Sequence, residues 1–293
     1  MVLLLLSLKF AKYRFANSSL FILLVTLPKI SLHTNMAVRK KRYTALGKWL
    51  RISVVFIFLT VGGYFFYQWW LYRRAMFVRY PQFGIAIPES YSIHGIDVSK
   101  YQDLIAWDEV KAMQVKNIKL GFAFIKATEG IGNMDAQFPR NWRKAKEAGI
   151  VRGAYHFFLA TKDGRMQAEN FIKCVNLKPG DLPPVLDVEQ TYGITSEVLK
   201  KEVKEWLEIT EDFYHVKPII YTNVDFYKRT LGSDFDNYPL WVAHYYQPNQ
   251  PRIKRDWLFW QHSEEGRVNG IYSKVDFNVF GGDSLEFRSI LIP

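Results

Sequence analysis

The spacing of apolar and polar residues changes character several times along the chain. Residues 52–72, "ISVVFIFLTVGGYFFYQWWLY", carry no charge. At about 1.5 Å per residue, a helix of that length matches a bilayer core of about 30 Å. Trp69, Trp70 and Tyr72 gather at its far end, where an interfacial aromatic belt belongs. The run predicts a transmembrane helix. Arginines flank it on both sides, which argues against a buried core helix. It is long for a signal peptide, and no small-residue cleavage site follows it. Residues 73–92 hold two prolines in "YPQFGIAIPES" and show no clear period, so they are expected to form a short tether.

From Ile93 onward, short apolar runs alternate with segments of helical spacing. "SIHGIDV", "LGFAFIKA", "GIVRGAYHFF", "LPPVLDVE" and "KPIIYTN" read as strands. Between them, "LIAWDEVKAMQVKN", residues 135–148, "DGRMQAENFIKCV" and "TSEVLKKEVKEWLEITEDFYH" read as helices, the last capped by Thr195 or Ser196. "YPLWVAHY", "DWLFWQHS" and "GIYSKVDFNVF" then read as strands with short connections. Repeated strand–helix units imply a parallel sheet buried on both faces. Eight strands, with helices after the first five, predict an α/β fold: an irregular (β/α)5(β)3 TIM-like barrel behind one transmembrane helix. A doubly wound sheet is the alternative, weakened by the lack of a glycine-rich phosphate turn after the first strand. The expected domains are a basic segment 1–51, the span 52–72, the linker 73–92 and a barrel 93–288.

Charge alters this picture at one end. The formal net charge is +11, but thirteen of the 39 Lys and Arg precede Glu89, where there is no acid. The remaining 26 face 28 Asp and Glu, a net of −2. The basicity therefore belongs to the tail, and a nucleic-acid partner, which needs a basic patch on the folded domain, is not expected. "RKKR" (39–42), Lys48 and Arg51 precede the span; Arg73, Arg74 and Arg79 follow it. That excess predicts a single-pass inner (cytoplasmic) membrane protein with a cytoplasmic N-terminus and an extracytoplasmic domain. Residues 1–35 have no use in a one-span topology, and translation is expected to start at Met36. The single cysteine, Cys174, forms no internal disulfide and is expected to be a buried small hydrophobe.

In a barrel, the site lies where strands end. Asp97 ends the first predicted strand. Lys126, Thr128 and Glu129 end the second, and Tyr155 and His156 lie on the third. Asp187 and Glu189 end the fourth and Tyr221 the fifth. Trp241 and Tyr245, Gln261, and Asp276 with Asn278 lie on the last three. Residues i and i+2 of a strand share a face, so Asp187 and Glu189 point into one pocket. Like charges that close raise one pKa, which suits a general acid. Four acids around an aromatic cleft suit glycoside cleavage. They would also suit a divalent metal, but His156, His244 and His262 lack ligand spacing, and neither metal nor cofactor is expected. Tyr155, Tyr221, Trp241, Tyr245 and Gln261 are the candidate substrate-binding residues. His156 reads equally as structural, Lys126 and Glu129 as an ion pair, and the direction of Gln261 is open.

"HGIDVSKYQ", "FAFIKATEG", "RGAYHFF", "PPVLDVE", "PIIYTN", "LWVAHY", "FWQHS" and "VDFNVF", in this order over about residues 93–283, closely resemble the family 25 glycoside hydrolases, the muramidase-type lysozymes. The resemblance implies an irregular barrel with five β/α units and three closing strands. It implies cleavage of the β-1,4 bond between N-acetylmuramic acid and N-acetylglucosamine in peptidoglycan. It implies Glu189 as proton donor and Asp187 as the second catalytic carboxylate, with Asp97 and Asp276 in the active site. Ala106 stands in "LIAW" where many members have Asp, with little catalytic effect expected at the start of a helix. The anchor is not a family feature. A monomeric enzyme is expected, acting on peptidoglycan strands. The alternative is a catalytically silent module tethering membrane to wall.

Overall fold

The computed structural model describes residues 44–247 and 249–293. The expectations for residues 1–43, including the basic run 39–42 and a start at Met36, lie outside the described residues. Ala45–Met76 form one helix, about 48 Å long at ~1.5 Å per residue. It contains the predicted span 52–72 and is long and apolar enough to cross a membrane by length and composition.

Eight strands then close on themselves. They are β1 (His94–Val98), β2 (Ile118–Glu129), β3 (Val151–Phe157), β4 (Val185–Asp187), β5 (Ile219–Asn223), β6 (Leu240–Ala243), β7 (Phe259–Gly266) and β8 (Val275–Phe280). From β1 to β7 each strand pairs in parallel with the next. β8 runs antiparallel to β7 and to β1, which shuts the ring. The result is a mixed α/β fold around a closed eight-stranded, barrel-like sheet.

The helices depart from expectation in two places. α1 covers only Trp107–Ala112. The rest of the apolar run, Gln114–Val115, turns back on Ile118–Lys119 as a tight hairpin, with Lys116 at φ 55°. α2 (Phe138–Glu147), α3 (Gly164–Cys174) and α4 (Ser196–Tyr214) fall where the periodicity places them. Thr195 caps α4 by accepting from the Val198 N–H at 3.4 Å. After β5 the expected helix is a single turn, α5 (Val224–Phe226), followed by irregular turns to Phe235. A final helix, α6 (Ser284–Ser289), sends Phe287 against Phe122, Phe259 and Phe280.

Strand alternation sorts the core into two sides. Ile96, Ala123, Ile125, Ala154, Leu186 and Ile220 belong to the cluster that packs on the helices, with Ala168, Phe171, Leu199, Val203 and Trp206. Phe122, Phe124, Ile219, Tyr221, Trp241 and Phe259 fill the interior. Two glycines make room for them. A Cβ on Gly95 would lie 2.5 Å from the Phe122 ring, and one on Gly153 would lie 2.5 Å from the Phe124 ring. Large rings and missing side chains thus interdigitate, as a close-packed interior requires.

Residues 73–92 are not a bare tether. Phe77–Tyr80 and Ile85–Pro88 form an antiparallel hairpin. Its Tyr80, Phe83, Ile85 and Ile87 are buried in the outer core. Phe83 meets Phe277 edge-on at 5.3 Å, and its carbonyl accepts from the Arg267 N–H at 2.9 Å.

Ala106 occupies the N-cap of α1, where no side chain accepts a hydrogen bond from the first turn. It is exposed. Ala106→Asp should restore a cap and raise stability by ~0.5–2 kcal/mol. A higher urea midpoint with unchanged activity is the expected result.

Candidate active site

The parallel strands deliver their last inward residues to one end of the barrel. There they line a cavity of about 500 Å³. All nine sequence-predicted residues line it: Asp97, Tyr155, Asp187, Glu189, Tyr221, Trp241, Tyr245, Gln261 and Asp276. Ser99, Tyr101, Gln102, Lys126 and Glu264 line it too. Tyr101 and Gln102 belong to "VSKYQ", the loop after β1, and loops after barrel strands are where sites gather. Glu264 had no comparable signal. The register of β7 shifts between Gln261 and Ser263 and again between Ser263 and Gly266, and such bulges re-aim side chains without marking the sequence.

Asp97 is the centre of the polar network. It pairs across the ladder with Asp276, because β8 runs antiparallel and brings its first residues to the mouth. Asp97 Oδ2 accepts from Gln261 Nε2 at 2.8 Å and from Asn278 Nδ2 at 2.7 Å. Gln261 Oε1 accepts from the Tyr221 hydroxyl at 2.8 Å and the Tyr245 hydroxyl at 2.6 Å. Asn278 Oδ1 accepts from Trp241 Nε1 at 2.8 Å. Asn278, named with Asp276 at the end of the chain's last strand but not among the candidate catalytic or binding residues, was within reach of the argument used for Asp187 and Glu189. It lies two residues from Asp276 on one strand and so shares its face.

Trp241 is 2% exposed. Its ring stacks on Phe124 at 4.2 Å, so it forms the cavity floor. Tyr155 stands edge-on to it. Gln261 points inward with its amide engaged in the network, which settles a direction the sequence left open.

Burial decides the protonation of the acids. It raises Asp97, while hydrogen bonds from Gln261, Asn278 and Asp276 pull it back. Asp276 is pushed up to about 9 by burial and then by the charge of Asp97. Burial, followed by repulsion from Glu189, holds Asp187 well above the carboxylate range. Glu189 is raised by burial and by Asp97, against a hydrogen bond from Tyr221. Both members of the D-x-E pair rise, where one was expected. Asp187 Oδ1 is buried and accepts no hydrogen bond among the described residues.

Other candidates have structural roles. Lys126 pairs with Glu129 at 2.6 Å. His156 is fully buried, within 2.7 Å of Thr128 Oγ1 and 3.2 Å of Gln167 Oε1; it stacks on Trp206, and burial lowers it to about 3. His244 Nδ1 accepts from the Arg252 N–H. Cys174 is half-buried against the outer core, not enclosed in it.

A closed barrel that gathers acids over an aromatic floor at its strand ends has the parts that a glycoside hydrolase uses. The family model for glycosyl hydrolases of family 25 matches residues 96–271. The protein YegX of Escherichia coli K12 is 46% identical over 209 residues, covering 71% of this chain and 77% of that one. Lysozyme M1 of Streptomyces globisporus is 34% identical, covering 69% and 72%. The solved family 25 glycosyl hydrolase of Bacillus anthracis superposes with a TM-score of 0.64 at 34% identity, covering 69% of this chain and 95% of that one. A Streptomyces coelicolor lysozyme gives 0.62 at 32%, covering 69% and 98%. The chain belongs to the family 25 glycosyl hydrolases, and its activity is of the muramidase type. The hairpin at 77–88 precedes the matched residues.

Asp276 also links this site to stability. An ordinary Asp releases its proton near 3.8; this one does so at about 9. Its stabilising effect is complete below the lower value and is lost as pH rises towards the upper one, because the unfolded chain then binds fewer protons. Asp276→Asn should unfold at higher urea than the wild type at about pH 8, with the gap closing toward about pH 4.

Proposed function

We propose that this chain is a membrane-anchored N-acetylmuramidase. It hydrolyses the β-1,4 bond between N-acetylmuramic acid and N-acetylglucosamine in peptidoglycan. One observation carries the assignment of roles: Asp187 and Glu189 project from one strand end into the cavity that Asp97 and Asp276 close from the opposite side. The muramidase activity of the family supports the substrate. The apolar helix Ala45–Met76 supports the anchor. The basic residues before it support a cytoplasmic N-terminus and an extracytoplasmic barrel, acting as a monomer on glycan strands.

Glu189, whose proton burial and Asp97 hold more tightly than in an ordinary glutamate, gives that proton to the leaving glycosidic oxygen. Asp187 lies two residues away on the same strand end and cannot reach the opposite face of the sugar ring. The substrate's 2-acetamido oxygen therefore attacks the anomeric carbon. Asp187, whose Oδ1 has no partner among the described residues, accepts the acetamido N–H and orients the amide for attack. Tyr155 or Asp276 holds the same amide. Water, deprotonated by Glu189, then opens the intermediate, and configuration is retained. Substrate assistance of this kind is a known exception to the two-carboxylate scheme.

Glu189→Gln in the full chain, solubilised in detergent, should lose activity on peptidoglycan ~10²–10⁴-fold with an unchanged melting temperature. Retention of more than about a tenth of the rate would remove Glu189 from the acid role. NMR of the first-formed product should show the β anomer; an α product would mean direct attack by water and would end the substrate-assisted scheme.

A further inference from the structure

We propose that Asn278 and Gln261 are positioning residues that clamp Asp97 as the standing anion of the cavity and so decide which neighbouring carboxyl groups carry protons. The inference rests on the reading of Glu189 as the acid.

Neither amide can turn round. Trp241 Nε1 is only a donor, so Asn278 must offer it the carbonyl oxygen and keep its NH2 for Asp97. The Trp241 ring is itself fixed by stacking on Phe124. Gln261 Oε1 receives two tyrosine hydroxyls, which leaves its NH2 for Asp97 as well. Two N–H donors thus converge on one carboxylate oxygen. Hydrogen bonds donated to a carboxylate favour its charged form, and Asp276 adds its own hydrogen bond to Asp97 as the protonated partner. The clamp reaches the reaction through that charge. The groups that face Asp97 are Asp276 from β8, Asp187 and Glu189 from the end of β4, and the hydroxyls of Tyr155, Tyr221 and Tyr245. Glu264 of β7 adds a further acid to the cavity wall, and Lys126 of β2, paired with Glu129, is the one cation among the described lining residues. An Asp97 that stays charged adds to the burial that already holds the protons of Glu189 and Asp276; an Asp97 that takes up a proton removes that addition and lets each ionise more readily.

Asn278→Asp and Gln261→Glu test this in the full chain. Each new side chain still accepts from Trp241 or from the tyrosines. It donates to Asp97 only when protonated. The ratio of kcat at about pH 5 to kcat at about pH 7 should therefore rise ~10-fold above the wild-type ratio, within the ~10²–10⁴ that a general acid supplies. Asn278→Leu, which donates at no pH, should lower kcat without that acid recovery. A wild-type ratio in both carboxyl variants overturns the proposal. So does a loss that is equal at every pH, since that marks a packing role alone. If Asn278→Asp does not fold, Gln261→Glu decides by the same ratio. A dead Glu189→Gln enzyme with an unshifted Asn278→Asp profile would refute the clamp alone. An active Glu189→Gln enzyme would refute the acid assignment instead.

Discussion

Five carboxyl groups and one lysine line the cavity at the mouth of the barrel, and the rest of the site is fitted to their mutual repulsion. Charges of one sign cannot crowd together out of water unless some are neutralised. Three devices do this here. Asp97 receives two amide donors on one oxygen. Asp276 keeps its proton and donates it to Asp97. Lys126 lowers Asp187 while bound to Glu129. What remains is a D-x-E pair whose protons are held more tightly than those of ordinary carboxyl groups, the direction that protonating a leaving group requires.

Such an arrangement needs a rigid base. The floor under Asp97 and Asp187 is Trp241 on Phe124, and below them Phe122, Phe259, Phe280 and Phe287 form an aromatic plug. Gly95 and Gly153 permit it by leaving out the atoms that would strike those rings. On the helix-facing side of the sheet, Arg152 lies over the Trp142 ring and binds Asp181 through two hydrogen bonds at 2.8 and 3.0 Å with both groups buried. Polar networks held on packed scaffolds keep their geometry better than networks on loops.

Most of this was legible in the amino-acid sequence, for one reason. A strand's period of two carries each residue's facing along with its identity, so Asp97, Asp187, Glu189, Gln261 and Asp276 could be placed at strand ends without coordinates. The same rule would have caught Asn278. What stayed hidden were features that period does not encode. The bulges in β7 re-aim Glu264. α1 stops at Ala112, and Gln114–Val115 pair with Ile118–Lys119 across a turn at Lys116 where the period predicted more helix. The hairpin before the barrel was masked by Pro81 and Pro88, although the alternation of Ile85 and Ile87 is itself a strand pattern. It also lies before the family match, which begins at residue 96.

That hairpin also fixes a length. The helix ends at Met76, and Tyr80, four residues on, is already 1% exposed in the core of the catalytic domain. Four extended residues span about 14 Å at most. Were that helix to sit in a bilayer, the barrel would be held on a leash of four residues. It could not search outward as an enzyme on a long disordered stalk would. Its working volume would be a thin shell beside the lipid, and polymer would have to come to it.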